Sequence, residues 1–291
     1  MCCDDLDRLS AAEIVSRIVA EDARAPAAVA TQARTIAALA DEVVARMYRG
    51  GRLIYVGAGT SGRLGALDAA ELPPTFGIPP GRVIALLAGG PAALHAAVEA
   101  AEDDALQGGQ DLAALNPCTE DVVLGIAASG RTPYVLGALA EARARRAFCT
   151  ALTCTPGSPL VAAADLAIVA DVGPELIEGS TRLKAGTAQK LALNALSTTV
   201  FIRLGHVYGR LMVDVRPTNA KLRARARDIV RRLAGVEEMR AHELLEQAGW
   251  RVKTAVVMAR GACSCAEAQC LLDTTGGNLR QALALVEGNR E

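Results

Sequence analysis

Two short stretches combine glycines with hydroxyl side chains: Gly57-Ala58-Gly59-Thr60-Ser61-Gly62 and Ala128-Ser129-Gly130-Arg131-Thr132. Each follows a strand-like apolar run, Leu53-Ile54-Tyr55-Val56 and Val122-Val123-Leu124-Gly125-Ile126, and each leads into a helical pattern. Glycines let the backbone turn tightly and point its N–H groups inward, while serine and threonine add hydroxyl donors. A helix N-terminus behind such a turn favours an anion. Two such turns on parallel strands of one sheet point to a single pocket for a phosphorylated small molecule, with Gly59, Thr60, Ser61, Ser129, Gly130 and Thr132 as its binding residues. Other readings stay open. The first turn satisfies G-x-G-x-x-G, the pattern of a dinucleotide site, but that site needs an acidic residue at the end of the second strand. Here the second strand ends Leu86-Leu87-Ala88-Gly89-Gly90, without a carboxylate. The first turn could also be merely tight. The second could be only a helix cap before Pro133, with Thr132 capping and Ser129 facing a ligand in the richer reading.

Several carboxylates could move protons. Glu71 lies in Leu67-Asp68-Ala69-Ala70-Glu71-Leu72-Pro73-Pro74. The prolines are expected to stop the helix there, and a carboxylate at a helix C-terminus holds its proton more tightly. That suits a general acid, although a solvated glutamate at a helix end reads the same way. Glu99, Glu102 and Asp103 are expected on a helix after Gly89-Gly90, with Glu99 beside both others on one face. An exposed acidic stripe is the plain alternative. Glu175 and Glu178 precede Gly179-Ser180-Thr181-Arg182-Leu183-Lys184. Ser180 and Thr181 are expected to cap the following helix, Arg182 and Lys184 could instead sit near an anion, and Glu178, Ser180 and Lys184 are taken as further substrate-binding residues.

The elements that must position these residues are legible as alternation. Residues 10–49 read as helices, opened by Ser10 with Glu13 three residues on, a capping box. Five apolar runs follow at 53–57, 83–88, 122–127, 148–153 and 166–170. Strand–helix alternation implies an α/β fold with a parallel sheet and right-handed crossovers. A five-stranded doubly wound sheet in the order 2-1-3-4-5 has its switch point between strands 1 and 3, the two strands that carry the glycine-hydroxyl turns. A long helix is expected over about 182–204, and a small helical bundle, with breaks at Gly235, Gly249, Gly261 and Gly276-Gly277, closes the chain. The expected organisation is an N-terminal helical segment (1–42), a sheet domain (43–208) and a C-terminal helical region (209–291).

Composition excludes several classes. The formal net charge over 291 residues is -1, and aromatics make up 3%, so nothing marks a nucleic-acid surface. In the basic run Arg223, Arg225, Arg227, Arg231 and Arg232 the first three do not form one helical stripe, because alternate residues lie about 200° apart, and a solvated helix is expected. The start, Met1-Cys2-Cys3-Asp4-Asp5, is acidic and lacks an apolar core. No apolar run reaches the roughly 18 residues of a membrane span. A cytoplasmic setting is expected, in which the eight cysteines are reduced thiols. Cys149 and Cys154 fall in a strand-like segment. Cys263, Cys265 and Cys270 lack partner histidines at zinc-like spacing, as do His95, His206 and His242. No metal and no cofactor is expected.

With these residues in view, the chain resembles the N-acetylmuramic acid 6-phosphate etherases, sugar isomerase (SIS) domain proteins. The matching stretches are residues 51–65, Asp68-Ala69-Ala70-Glu71-Leu72-Pro73-Pro74-Thr75, Ala101-Glu102-Asp103, residues 125–134, Lys184-Ala185-Gly186-Thr187-Ala188-Gln189-Lys190 and Leu211-Met212-Val213-Asp214-Val215. Members usually carry a further N-terminal segment, with a Thr-Glu and an Arg-Asn, ahead of the Asp-Leu-Asp-Arg-Leu-Ser stretch; here Met1-Cys2-Cys3-Asp4 precedes it. The resemblance implies a sugar-phosphate substrate, a homodimer with the active site near the subunit interface, and Glu71 and Glu102 as the catalytic pair. Glu71 would be the proton donor and Glu102 the second acid–base group. It implies release of D-lactate from N-acetylmuramic acid 6-phosphate, leaving N-acetylglucosamine 6-phosphate. Two alternatives belong to the same fold: a non-catalytic sugar-phosphate-binding regulator, like glucokinase regulatory protein, and an aldose–ketose sugar-phosphate isomerase.

Overall fold

The computed structural model describes residues 5–98 and 100–288. Helix α1 (Ala11–Asp22) opens with the capping box expected of Ser10 and Glu13, and α2 (Arg24–Thr31) and α3 (Ala33–Tyr48) follow. Helix α3 buries Ile36, Leu39, Ala40, Val43, Val44 and Met47, a stripe at helical spacing.

Then comes the alternation: β1 (Leu53–Gly57), α4 (Gly59–Phe76), β2 (Val83–Leu87), α5 (Ala105–Ala114), β3 (Val122–Ile126), α6 (Pro133–Ala144), β4 (Phe148–Thr153), the short α7 (Pro159–Ala162), β5 (Leu166–Val169) and α8 (Lys184–Arg203). The five strands form one parallel sheet in the order β2-β1-β3-β4-β5, the order assumed for a doubly wound sheet. Gly57 pairs with Ile126, so the turns after β1 and β3 leave the same sheet edge side by side, with strands about 4.8 Å apart.

Alternate residues face opposite sides of a strand. Ile54, Val56, Val123, Cys149 and Ala151 pack with Leu112 of α5 and Tyr134, Val135 and Ala138 of α6. On the other face the Tyr55 hydroxyl donates to Asp68 of α4 at 2.9 Å, and Ser197 of α8 donates to the same carboxylate at 3.1 Å. Burial raises the Asp68 pKa, while these two hydrogen bonds oppose the shift.

The chain falls into two compact units, residues up to 70 with 81–197, and 71–80 with 198–288. The second holds a two-stranded antiparallel hairpin, β6 (Val207–Tyr208) and β7 (Leu211–Met212), and helices α9 (Ala220–Ala234), α10 (Glu238–Gln247), α11 (Val252–Gly261), α12 (Cys265–Thr274) and α13 (Leu279–Gly288). Its core includes Val213, Val230, Leu245, Val256, Leu272 and Leu283. The hairpin carried no sequence signal strong enough to foresee, having only two residues per strand. Gly261 belongs to α11, and Ala262 takes the left-handed position expected of a glycine, at φ 50°.

Helix α4 corrects a second expectation. It continues through Pro73 and Pro74 to Phe76. Proline withholds an N–H but its fixed φ fits a helix, and Phe76 is held by stacking on Phe201, with ring centroids 5.1 Å apart. Among the described residues no single helix is long and apolar enough to cross a membrane.

Candidate functional site

The turn after β1 is built from backbone contact. A Cβ on Gly57 would lie 2.7 Å from the Gly62 backbone, and one on Gly62 would lie 2.6 Å from the Gly57 carbonyl oxygen. Only glycines permit this approach, which brings the α4 N-terminus directly over the strand end. Gly59 stands at φ +51° with open space around its Cβ position. The Ser61 hydroxyl donates to Oε1 of Gln189 at 3.0 Å, and Thr60 touches Gly186, whose Cβ position lies 3.5 Å from its methyl group. The start of α8 therefore sits against this turn. Gln189 is fully buried, and its Nε2 has no hydrogen-bond partner among the described residues.

Gly59 shares a cavity of about 330 Å³ with Glu102. Arg63, one turn into α4, lines the same cavity and pins its far wall, donating to the carbonyls of Ala93 at 2.8 Å and Ala96 at 3.2 Å. Glu102 does not stand on the expected helix. It sits in a single 3-10 turn, Ala101–Asp103, entered from Ala100 at φ 59°. Asp104 then caps α5 by accepting from the Gln107 amide at 2.8 Å. Glu99 lies outside the described residues. The turn leaves Glu102 exposed at the cavity wall, accessible to a bound molecule.

The turn after β3 is packed differently. Gly130 stands at φ +63°, and a Cβ there would lie 2.1 Å from the Ser158 hydroxyl oxygen. Ser129 is exposed, and its hydroxyl accepts from the Arg131 amide at 3.3 Å. Thr132 occupies the N-cap of α6 but its side chain makes no capping hydrogen bond, so the expected capping role falls to its backbone position alone. Ser158 is nearly fully buried, and its hydroxyl has no hydrogen-bond partner among the described residues.

The remaining expected residues separate. Lys184 is fully buried and ion-paired with Glu21 of α1, which holds the Glu21 carboxyl below its usual range. Lys184 therefore reaches an anion only if that pair opens. Glu175, not Ser180 or Thr181, caps α8, accepting from the amides of Lys184 at 3.3 Å and Ala185 at 2.9 Å. Glu178 lines a second cavity with Glu21 and Arg24, away from the lining shared by Gly59 and Glu102, and Ser180 lies in the turn ahead of α8. Glu71 stands on α4, twelve residues beyond Gly59, a rise of about 18 Å, and is absent from the Gly59–Glu102 cavity lining. It also precedes the last turn of that helix, so the argument from the helix end does not apply to it.

Gln189, Ser158 and Arg63 were missed as site residues. Gln189 and Arg63 fall inside the matched stretches, which was the available signal; Ser158 had none.

Among the described residues no three His, Cys, Asp or Glu side chains converge as a metal-ligand set. The six described cysteines are free. Burial pushes the thiols of Cys149 and Cys154 up to about 11 and about 12.

The chain matches the SIS domain over residues 95–199 and the glucokinase regulatory protein N-terminal SIS domain over residues 35–143. The fold is shared with a phosphoheptose isomerase from Francisella tularensis, at 21% identity and a TM-score of 0.55, covering 67% of this chain and all of that one. Much greater likeness is found to the N-acetylmuramic acid 6-phosphate etherases of Deinococcus radiodurans (49% identical, covering 96% of this chain and 92% of that protein) and Streptomyces avermitilis (50%, covering 96% and 90%). The chain belongs to the N-acetylmuramic acid 6-phosphate etherase family.

Proposed function

We propose that this chain cleaves the D-lactyl ether of N-acetylmuramic acid 6-phosphate, a carbon–oxygen lyase reaction giving N-acetylglucosamine 6-phosphate and D-lactate in the recycling of cell-wall amino sugars. Half-identity to etherases along nearly the whole chain carries the reading, and the exposed Glu102 beside Gly59 gives it a chemical centre.

Direct displacement of an alkyl ether is unfavourable because the leaving alkoxide is strongly basic. Opening the sugar ring exposes an aldehyde at carbon 1, which acidifies the hydrogen on carbon 2. Lactate on carbon 3 is then β to the carbonyl and leaves by elimination, and water adds to the unsaturated aldehyde. The route needs a base at carbon 2 and an acid at the ether oxygen. Glu102 is assigned as the base and Glu71 as the acid, with the roles reversed for hydration. The backbone amides of the first turn at Gly59, Thr60 and Ser61, and the hydroxyls of Ser129 and Thr132 in the second, hold the phosphate and fix the sugar's register. Lys184 joins this binding region only when its ion pair with Glu21 opens, and Glu178 and Ser180 are assigned no substrate contact in this arrangement.

A homodimer with the active site near the subunit interface, which the family resemblance implies, is part of the proposal. A cytoplasmic setting accords with the free thiols.

The test is incubation with N-acetylmuramic acid 6-phosphate in ¹⁸O-labelled water. Label in the sugar product and none in lactate is expected; label in lactate would overturn elimination. The match to a regulatory protein's SIS domain favours a second reading, binding without turnover, which predicts affinity for the sugar phosphate with no lactate released.

A further inference from the structure

A cavity of about 640 Å³ lies wholly within the C-terminal unit, apart from the one that Gly59 and Glu102 line. Its size falls in the range of small-molecule sites. Its wall combines the 213–218 segment, the first turn of α11 and Trp250. Arg216, Arg223, Arg251 and Lys253 line it against only Asp214 and Asp273, an excess of positive charge.

Most of these groups are already engaged. Lys253 is nearly buried, donates to the Gly277 carbonyl at 2.7 Å and lies 2.5 Å from Asp214. Asp214 also lies 2.8 Å from Nδ1 of His206. Arg251 donates to Gln269 at 2.7 Å, and Gln269 donates to Asp273 at 2.7 Å. The two remaining arginines are different. Arg216 uses Nε on the Gly77 carbonyl at 3.2 Å, and Arg223 uses Nε on the Pro217 carbonyl at 3.5 Å. Neither forms an ion pair among the described residues, and each keeps its terminal nitrogens for another acceptor. Arg223 also lies over the Trp250 ring, 5.1 Å from its centroid. Trp250 itself stands at φ 60°, an uncommon conformation for a bulky residue. The first turn of α11 receives no side-chain cap, so its amide donors face a cavity already rich in positive charge.

We infer that this cavity is a second binding site, for a small phosphate-bearing molecule, with Arg216 and Arg223 as its clamp. Two guanidinium groups offer paired donors to phosphate oxygens, and their uncompensated charge matches a dianion. Neither catalytic glutamate lines it, so occupancy here is separable from turnover.

Trp250 is the chain's single tryptophan, and its emission reports on this wall alone. The full chain is titrated with inorganic phosphate, N-acetylglucosamine 6-phosphate and N-acetylglucosamine, followed by tryptophan fluorescence and calorimetry. Saturable fluorescence changes are expected with the two phosphates and not with the neutral sugar. Both arginines are exposed, so R216Q/R223Q retains the fold, checked by its thermal midpoint. It is expected to weaken the fluorescence-detected affinity about tenfold or more, since each group loses a charge-assisted hydrogen bond, while R216K/R223K recovers part of it. E102Q and S129A are expected to leave the response intact. A response unchanged in R216Q/R223Q, a response lost in S129A, an equal response to the neutral sugar, or no saturable response in the full chain would each overturn the inference. None of these outcomes bears on lactate release, so the site and the proposed reaction fail independently.

Discussion

The turns after β1 and β3 are built from the same residue types, yet they spend them differently. After β1, Gly57 and Gly62 lock backbone to backbone, and the Ser61 hydroxyl is committed to Gln189. Beside this turn stands an acid–base candidate, Glu102. After β3, the glycine is wedged against a side chain, Ser158, and Ser129 remains exposed. Among the described residues no Asp or Glu accepts a hydrogen bond from Ser129 or Thr132. One turn is a rigid wall beside the proposed chemistry; the other offers a hydroxyl to grip with. Like composition thus serves unlike duties, decided by neighbours brought in from other parts of the chain.

The largest expected effect separates chemistry from grip. Glu102→Gln should lower kcat for lactate release by about 10²–10⁴-fold, the usual contribution of a positioned acid or base, with sugar-phosphate affinity retained. Ser129→Ala should instead raise KM about tenfold, the loss of one hydrogen bond to a charged group, with kcat little changed. If the two variants fall equally in kcat, the division of labour between the turns is wrong. Glu71→Ala refines the assignment: elimination should collapse while exchange of the carbon-2 hydrogen with deuterated solvent persists, and loss of exchange would remove Glu71 as the acid.

The glycines test the packing half of the contrast. Gly130→Ala should cost about 2–4 kcal/mol, combining a left-handed backbone with a steric clash, because its Cβ would meet Ser158 at 2.1 Å. A urea midpoint measures this. A loss under about 1 kcal/mol would mean that Ser158 moves aside freely.

What was legible before the structure follows from the range of the interactions. The five strands were readable because apolar runs and strand–helix alternation are local patterns; their order was assumed from the doubly wound fold, supported by the turns behind β1 and β3. The capping box of Ser10 and Glu13 was readable for the same reason. The ion pair of Lys184 was not legible because its partner, Glu21, lies 163 residues away in sequence. The cap of α8 by Glu175 spans a loop with no fixed spacing. Pro73 and Pro74 misled because proline is a helix breaker on average, whereas here the turn beyond them is anchored by Phe76. Glu102 was identified through the matched stretch, but its turn was not, since a left-handed alanine at position 100 has no sequence signature.

The smallest expected effects come from the first turn. Ser61→Ala removes the hydroxyl bonded to Gln189 and leaves that buried amide without its partner; a loss of about 1–3 kcal/mol is expected from an unsatisfied buried group. Gly59→Ala should cost only about 1–2 kcal/mol, the left-handed penalty alone, because nothing lies within 4 Å of its Cβ position. The new methyl group would nevertheless project where the helix amides meet the ligand. Sugar-phosphate affinity should therefore fall more than the urea midpoint suggests, whereas Ser61→Ala should show the reverse. Measuring midpoint and KM for both variants decides whether the wall after β1 touches the ligand through its backbone, as the contrast with Ser129 requires, or through the Ser61 hydroxyl. A Ser61→Ala variant with native stability and a raised KM would erase the distinction between the two turns.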